Sequence, residues 1–354
     1  MSVVKKISIE NIRSHDKFNI KLSPTVTVIV GGNGSGKTSI IEAIYIALRG
    51  TSFKGSDNDV LRYDSPWWRI ETEFDNFTKR TITFDAEKEN SRKKIVVGEK
   101  ITSRISMKDK YPVVLFDPDD LRLLHGSPAR RRQFIDRFIS QLDPIYQNAT
   151  RKYERALKQR NNLLKKPNIS RDELFVWDIA LSEYGAYIIE KRIAFIEKIN
   201  SQLNDQYNSI ADSHHVASVH YSNTYIGDIK QKLLNDLHAR IKRDRLTGFT
   251  SSGPHRHDVI FKFNNYLALD VASRGEVRTM VLAIKFMEVE IIEQITNVKP
   301  IILLDDVFSE LDGSRRKAIT KYLKDYQTII TTTDADVVKK GFAKTANMIS
   351  LKNN

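Results

Sequence analysis

The sequence has no cysteine in its 354 residues. That excludes disulfides, thiol nucleophiles and cysteine-based zinc sites, and agrees with a cytoplasmic setting. No apolar run approaches the roughly 18 residues of a membrane-spanning helix, and the opening MSVVKKISIEN has too short an apolar stretch for a signal peptide. The expectation is a cytoplasmic protein with no membrane partner. Internal repeats, low-complexity tracts, zinc-finger spacing, helix-turn-helix patterns and aromatic RNA-recognition motifs are missing too. Acid is the scarcer charge: 57 Lys and Arg against 44 Asp and Glu leave +13, which favours a polyanionic partner. The length suits one large α/β domain with an insertion, or two domains.

What is present begins at GGNGSGKTS, Gly31, Gly32, Asn33, Gly34, Ser35, Gly36, Lys37, Thr38 and Ser39, set between the apolar run VTVIV and the helical pattern SIIEAIYIAL. The spacing is G-x-x-x-x-G-K-[ST], a Walker A loop. Small residues let backbone N–H groups converge on phosphate oxygens while the helix N-terminus points its positive end at them. Lys37 reaches the terminal phosphates, and the Thr38 hydroxyl suits the Mg2+ that bridges them. A merely flexible Gly/Ser loop would need neither Lys-Thr at this offset nor a buried strand before it. ATP with Mg2+ is the expected ligand pair.

KPIILLDDVFSELD, Lys299 to Asp312, reads as a buried strand ending in two carboxylates, a Walker B segment. Asp305 is expected to hold Mg2+, directly or through water, and Asp306 to polarise the attacking water as general base. Between the two halves, Val277, Val281, Ala283, Ile284 and Met287 recur at helical spacing, so Ser273-Arg274-Gly275-Glu276 occupies a helix mouth. Such a phosphate-seeking end has no role at a loop that already carries its own helix; it can serve the nucleotide of another subunit.

The middle of the chain reads as helical. Ser127-Pro128 is a cap and first-turn pair, Phe134, Phe138 and Leu142 share a face, Pro144 permits a break, and Ser170-x-x-Glu173 is a capping box. Leu174, Trp177, Leu181, Tyr184 and Ile188 then mark a long returning helix. Residues 215–222 and 258–270 read as strands, the latter a hairpin turning at Asn264-Asn265, and 87–100 as a further loop or hairpin. Arg130, Arg131, Arg132, Arg151, Lys152 and Arg155 are the candidate DNA contacts, reading backbone and shape without sequence. His255 and His257 alternate on an extended segment, but a third and fourth metal ligand are unassigned.

The order Walker A, helical insertion, signature, Walker B and SELD as D-loop resembles the ABC-type ATPase head of the SMC-like group. Within it, NIRSHDKF, SFKGSDNDVLR, VVLFDPDDLRLLHGSPARRRQFIDR, GFTSSGPHRHD and ASRGEVRT, in this order, resemble the RecF family. The resemblance implies an α/β fold: a P-loop ABC-type ATPase head with an inserted short helical arm domain. The division is residues 1–125 as the first part of the head, 126–212 as the arm, and 213–354 as return strands, signature helix and Walker B. The implied function is an ATP-dependent DNA clamp of recombinational repair and replication restart. It would be an ATP-dependent homodimer whose Ser273, Gly275 and Glu276 close on the nucleotide of the opposite protomer. Partners implied are double-stranded DNA, single-strand/double-strand junctions and the RecR and RecO mediators, in a nucleoid-associated location, with weak DNA-stimulated ATP hydrolysis.

Three departures bear on these implications. The family motif GPHRDD has His257 in place of an acid. Asp306 is a methylene shorter than the Glu of many ABC ATPases, though paired Asp is usual in RecF relatives. QTIITTTD, Gln327 to Asp334, lacks a switch histidine, so Thr333 or Asp334 is expected to orient the terminal phosphate. An ABC transporter ATPase subunit is the alternative, disfavoured by the missing histidine and the Arg-rich arm. An overcoming-lysogenization-type nuclease would need an acidic domain, for which the roughly twenty residues after Asp334 are too few.

Overall fold

The chain was analysed as a computed structural model that describes residues 3–168, 170–334 and 346–351. Every residue of VTVIV is β-branched, the side-chain shape that packs best on a pleated surface, and the run forms a buried strand. It is the third of eight strands before the insertion: β1 (Val4–Ile12), β2 (His15–Lys21), β3 (Val26–Val30), β4 (Trp67–Phe74), β5 (Lys79–Asp85), β6 (Lys93–Val97), β7 (Lys100–Thr102) and β8 (Val113–Phe116). Helix α1 (Lys37–Arg49) follows β3.

The insertion carries α2 (Pro128–Leu142), α3 (Pro144–Leu164), α4 (Arg171–Ala211), β9 (Ala217–Tyr221), α5 (Ile229–Ala239), α6 (Ile241–Thr247), β10 (Val259–Phe263), β11 (Tyr266–Leu267), α7 (Ala268–Val271) and α8 (Arg274–Thr296). The chain returns through β12 (Ile301–Asp305), α9 (Gly313–Tyr322), β13 (Thr328–Thr332) and β14 (Ala346–Ser350). Two compact units result, Met1–Leu121 with Glu288–Asn354, and Arg122–Met287.

In the first unit a parallel sheet runs β14-β3-β13-β12-β8, and an antiparallel sheet runs β2-β1-β4-β5-β6-β7. Helix α1 is buried almost all round, as a helix enclosed on every side must be, and one apolar core joins it to residues of both sheets. The last turn of α1 finds partners for its end carbonyls: buried Arg80 donates to Ala47 O at 2.6 Å and also reaches Asp109 O. Burial pulls the Arg80 guanidinium below its ordinary pKa. The order of the parallel sheet matters for the site, because β13 lies between the strand leading into the Walker A loop and the strand ending in Asp305.

In the second unit the sequence signals for helix ends appear as geometry. Ser127 caps α2 with Pro at the first turn, Asp143 caps α3, and Ser170 with Glu173 closes a capping box on the 41-residue α4. The hairpin β10–β11 turns at Asn264 and Asn265, both at positive φ, as the sequence led us to expect. Residues 213–287, which the sequence groups with the head, cluster in the structure with the inserted unit. The reason is local. Asn200 of α4 clamps Val219 of β9 through both backbone groups, at 2.7 and 2.8 Å, and Asn204 accepts from Ala217 N at 2.7 Å, so the strand is stitched to the helix.

Candidate nucleotide-binding site

The Walker A loop leaves β3 with Gly31 N donating to Thr332 O at 3.2 Å and closes with Ser35 N donating to Gly32 O at 3.3 Å. Gly36 stands at φ +85 as the N-cap of α1, a left-handed conformation that costs a side chain about 1–2 kcal/mol. A Cβ there would also crowd Ser14 Oγ and His15 Nε2. His15, which lies in the NIRSHDKF string without a role assigned by it, is buried and sets its Nε2 3.0 Å from Gly36 O. Gly32, Asn33 and Gly34 are exposed, whereas Lys37 is 4 % exposed, with its Nζ donating to Gly31 O at 2.9 Å and Gly32 O at 3.0 Å. Ser39 is half-buried on the first turn of α1.

The sheet brings the second half of the site to this loop. Thr38 Oγ1 donates to Asp305 Oδ1 at 3.0 Å, and Lys37 Nζ lies 3.4 Å from Asp306 Oδ2. Thr331, on the intervening β13, is fully buried; its hydroxyl donates to Asp305 Oδ1 at 2.8 Å and accepts from Asp306 N at 3.0 Å. Asp306 itself holds φ +52. Burial raises its pKa and neighbouring Asp305 adds to the rise, against the pull of Lys37. Two buried atoms here, Ser35 Oγ and Asp306 Oδ1, have no hydrogen-bond partner among the described residues. Buried polar atoms are ordinarily paired, so these two mark where a polar ligand fits. A hydroxyl beside a carboxylate, Thr38 with Asp305, is a donor set of oxygens suited to Mg2+.

The family model described as the RecF/RecN/SMC N terminal domain matches residues 3–354. The DNA replication and repair protein RecF of Clostridium perfringens is 34% identical over 335 residues, covering 93% of this chain and 92% of the relative. The chain belongs to the RecF family. A solved structure of the recombination mediator protein RecF-ATP in the RecFOR pathway agrees, with a TM-score of 0.83, 31% identity, and coverage of 95% of this chain and 93% of that one. The Smc head domain of Pyrococcus furiosus shares the fold alone, at 18% identity and a TM-score of 0.52 over the whole of this chain and 94% of that one. The fold is thus a P-loop ABC-type ATPase head.

Two of the strings that resemble those of the RecF family have structural tasks in the first unit. Arg13 and Ser52, from NIRSHDKF and SFKGSDNDVLR, meet at Glu42 of α1: Arg13 Nε lies 3.1 Å from Oε2, and Ser52 Oγ donates to Oε1 at 2.5 Å. Glu42 is 1% exposed. The signal that could have found this cluster was one acid inside SIIEAIYIAL, since a buried charge requires partners.

In the second unit Ser273 and Arg274 are exposed and Gly275 and Glu276 half-buried at the mouth of α8. Ser273 N donates to Glu276 Oε2 at 2.7 Å and Glu276 N to Ser273 Oγ at 3.3 Å, a reciprocal cap. The candidate DNA contacts divide. Arg130, Arg151, Lys152 and Arg155 are exposed, with Lys152 over the Tyr184 ring. Arg131 and Arg132 are half-buried and engaged within the fold. Arg131 makes a bidentate pair with Asp258 at 2.9 and 2.7 Å and also reaches Leu124 O and Gly126 O. Arg132 donates to His257 O at 2.6 Å. Arg160 is wholly buried between Asp178 and Asp244 at 2.6 and 2.7 Å.

The two histidines of GPHRHD serve the same interior. Nδ1 of His255 lies 2.7 Å from Tyr153 Oη and its Nε2 3.0 Å from Thr250 O, while His257 Nδ1 lies 2.9 Å from Tyr221 Oη. Burial pushes both down to about 4. They are neutral ring partners of tyrosines, and no cluster suited to a metal ion is present among the described residues.

Proposed function

We propose that this chain is an ATP-gated DNA clamp of recombinational repair and replication restart. Two copies close on ATP, hold duplex DNA beside single-stranded gaps, and with mediator proteins of the RecR and RecO kind help load recombinase. Slow, DNA-stimulated hydrolysis resets the clamp. The observation that carries the reading is the meeting of Thr38 with Asp305 and of Lys37 with Asp306 across the parallel sheet. Support also comes from the relative described as a recombination mediator with ATP. No helix among the described residues is long and apolar enough to cross a membrane.

Each residue has a task in this scheme. The N–H groups of Gly34, Ser35 and Gly36 face phosphate oxygens, and Lys37 adds the one side-chain cation of the loop. Thr38 and Asp305 are the residues that would hold Mg2+, which when bound neutralises charge on the phosphate oxygens. Thr331 fixes the Asp305 carboxylate and the Asp306 backbone together. Asp306, with a raised pKa, takes the proton of the attacking water. Ser273, Gly275 and Glu276 of a second copy approach the terminal phosphate, and Arg130, Arg151, Lys152 and Arg155 meet the DNA backbone without reading bases.

The test is sedimentation and ATP turnover of Lys37→Ala and Ser273→Arg, alone and mixed, with and without duplex DNA. Each variant alone should be monomeric and inactive, with ATP binding lost in Lys37→Ala and kept in Ser273→Arg. Mixing places both lesions in one composite site and leaves the other intact, so partial turnover should return. No recovery, together with loss of ATP binding by Ser273→Arg, would reduce Ser273 to a helix cap and remove the clamp.

A further inference from the structure

The outer end of the antiparallel sheet carries a second site, remote in sequence from the Walker motifs. A cleft of about 650 Å³ opens over β4, β5, β6 and β7, lined among others by Trp67, Lys88, Arg92, Lys94 and Ser103. That volume lies within the ~300–1,000 Å³ of ligand clefts, enough for a nucleotide or two and not for a duplex. Its chemistry is unusual for the solvent side of a sheet. Trp67 is 40 % exposed, whereas its neighbour Trp68 is wholly buried and stacks on Phe84. The alternation of the strand explains the split, since one indole faces the core and the other the solvent. Among the described residues the Trp67 Nε1 has no hydrogen-bond partner.

The cations around that indole are not equivalent. Lys93 is spoken for: it pairs with Asp57 and lies over the buried Trp68 ring. Lys94, one residue on, points to the other face, is exposed and makes no ion pair among the described residues, and its backbone stands in register with Thr83. Lys88 and Arg92 come from the β5–β6 connection. Arg92 Nε donates to Lys88 O at 2.9 Å, which fixes the turn and leaves both terminal guanidinium nitrogens without a partner among the described residues. The acid of the cleft, Asp85, holds Lys88 only loosely, at 3.5 Å with the lysine 63% exposed. An exposed indole beside three cations, with the Ser103 hydroxyl at the rim, is complementary to an unpaired base on a phosphate chain.

We infer that this cleft binds single-stranded nucleic acid, stacking a base on Trp67 and setting phosphates against Lys88, Arg92 and Lys94. A duplex hides its base faces and cannot use the indole, so the site selects unpaired strand. It goes beyond the clamp reading, because no residue of the cleft belongs to the nucleotide site and binding here needs no ATP.

The experiment is fluorescence anisotropy of a labelled oligothymidylate with the full chain, without nucleotide, over a range of salt. Trp67→Ala should weaken binding roughly ten-fold, while Trp67→Phe, which keeps a stacking face, stays within about three-fold. Lys94→Glu should weaken it as much and flatten the salt dependence by about 0.7 in log–log slope for each phosphate no longer neutralised. ATP-dependent retention of blunt duplex should be unchanged in all three, which separates this site from the clamp. Parental affinity in both Trp67→Ala and Lys94→Glu would overturn the inference. So would poly-glutamate binding with the same dependence on Trp67, which would hand the cleft to an acidic protein segment, and so would a parallel loss of duplex retention.

Discussion

Gly36→Ala isolates the geometry on which the nucleotide site rests. At φ +85 the new side chain costs about 1–2 kcal/mol in backbone strain. The Cβ also meets His15 Nε2, so the ring must leave Gly36 O and forfeit a hydrogen bond worth about 0.5–1.5 kcal/mol. Together about 1.5–3.5 kcal/mol falls on the conformation that binds phosphate, a loss of roughly 10- to 300-fold in ATP affinity. The double variant His15→Ala/Gly36→Ala removes the collision with the ring, leaves only the rotatable Ser14 hydroxyl to turn aside, and keeps the strain. Measured against His15→Ala alone, its loss should shrink to roughly 5- to 30-fold. Equilibrium dialysis with ATP and Mg2+ reads all four corners of this cycle. Parental affinity in Gly36→Ala would refute the loop assignment, and an identical penalty in both His15 backgrounds would refute the crowding argument.

Asp306→Asn keeps the left-handed backbone, which Asn tolerates as Asp does, so ATP should stay bound while hydrolysis falls by about 10²- to 10⁴-fold in single-turnover assays. Because the folded chain holds the Asp306 proton more tightly than the unfolded one, the stability this group contributes is present at low pH and lost as pH rises through its raised pKa. Hydrolysis should climb over the same interval, and the Asn variant should show neither trend. Thr331→Val preserves the strand and deletes the hydroxyl between Asp305 and Asp306; hydrolysis should drop by about 3- to 10-fold with ATP affinity little changed, and a parental rate would show the hydroxyl to be idle. Arg160→Leu strands two buried carboxylates and should destabilise the second unit by about 3–5 kcal/mol, read as proteolysis within residues 122–287. Stability should partly return at acid pH, where Asp178, its pKa already raised by burial, can take up a proton.

What could be read in the sequence was whatever depends on neighbours in the chain. The Walker A loop, the capping box at Ser170, the cap at Ser127 and the Asn264-Asn265 turn are each fixed within a few residues, and each stands in the structure as read. Residues 87–100 likewise yield β6 and the start of β7. The partners of those motifs were legible only as types. Thr331 looks like one threonine of three in ITTT until the strand order inserts β13 between β3 and β12. His15 lies 21 residues from Gly36, in a hairpin with no chemistry of its own. Within the basic run Arg130 to Arg132, charge composition likewise does not tell a solvated arginine from one that ties Asp258 or a backbone carbonyl inside the fold.

The positive φ of Asp306 limits which amino acids can succeed one another at this position. Gly, Asn and Asp accept a left-handed backbone; most others, Glu included, do so at a cost. Lengthening the side chain to the Glu of many ABC ATPases would therefore be a substitution that looks conservative on paper and strains a main chain whose N–H is held by both the hydroxyl and the carbonyl oxygen of Thr331. The short acid is then the outcome of how the chain bends after β12, and not a weakened copy of a longer one. Between the two acids, a chain with this bend favours Asp over Glu on stereochemistry alone, and a change to Glu is eased by a change in the path of the backbone.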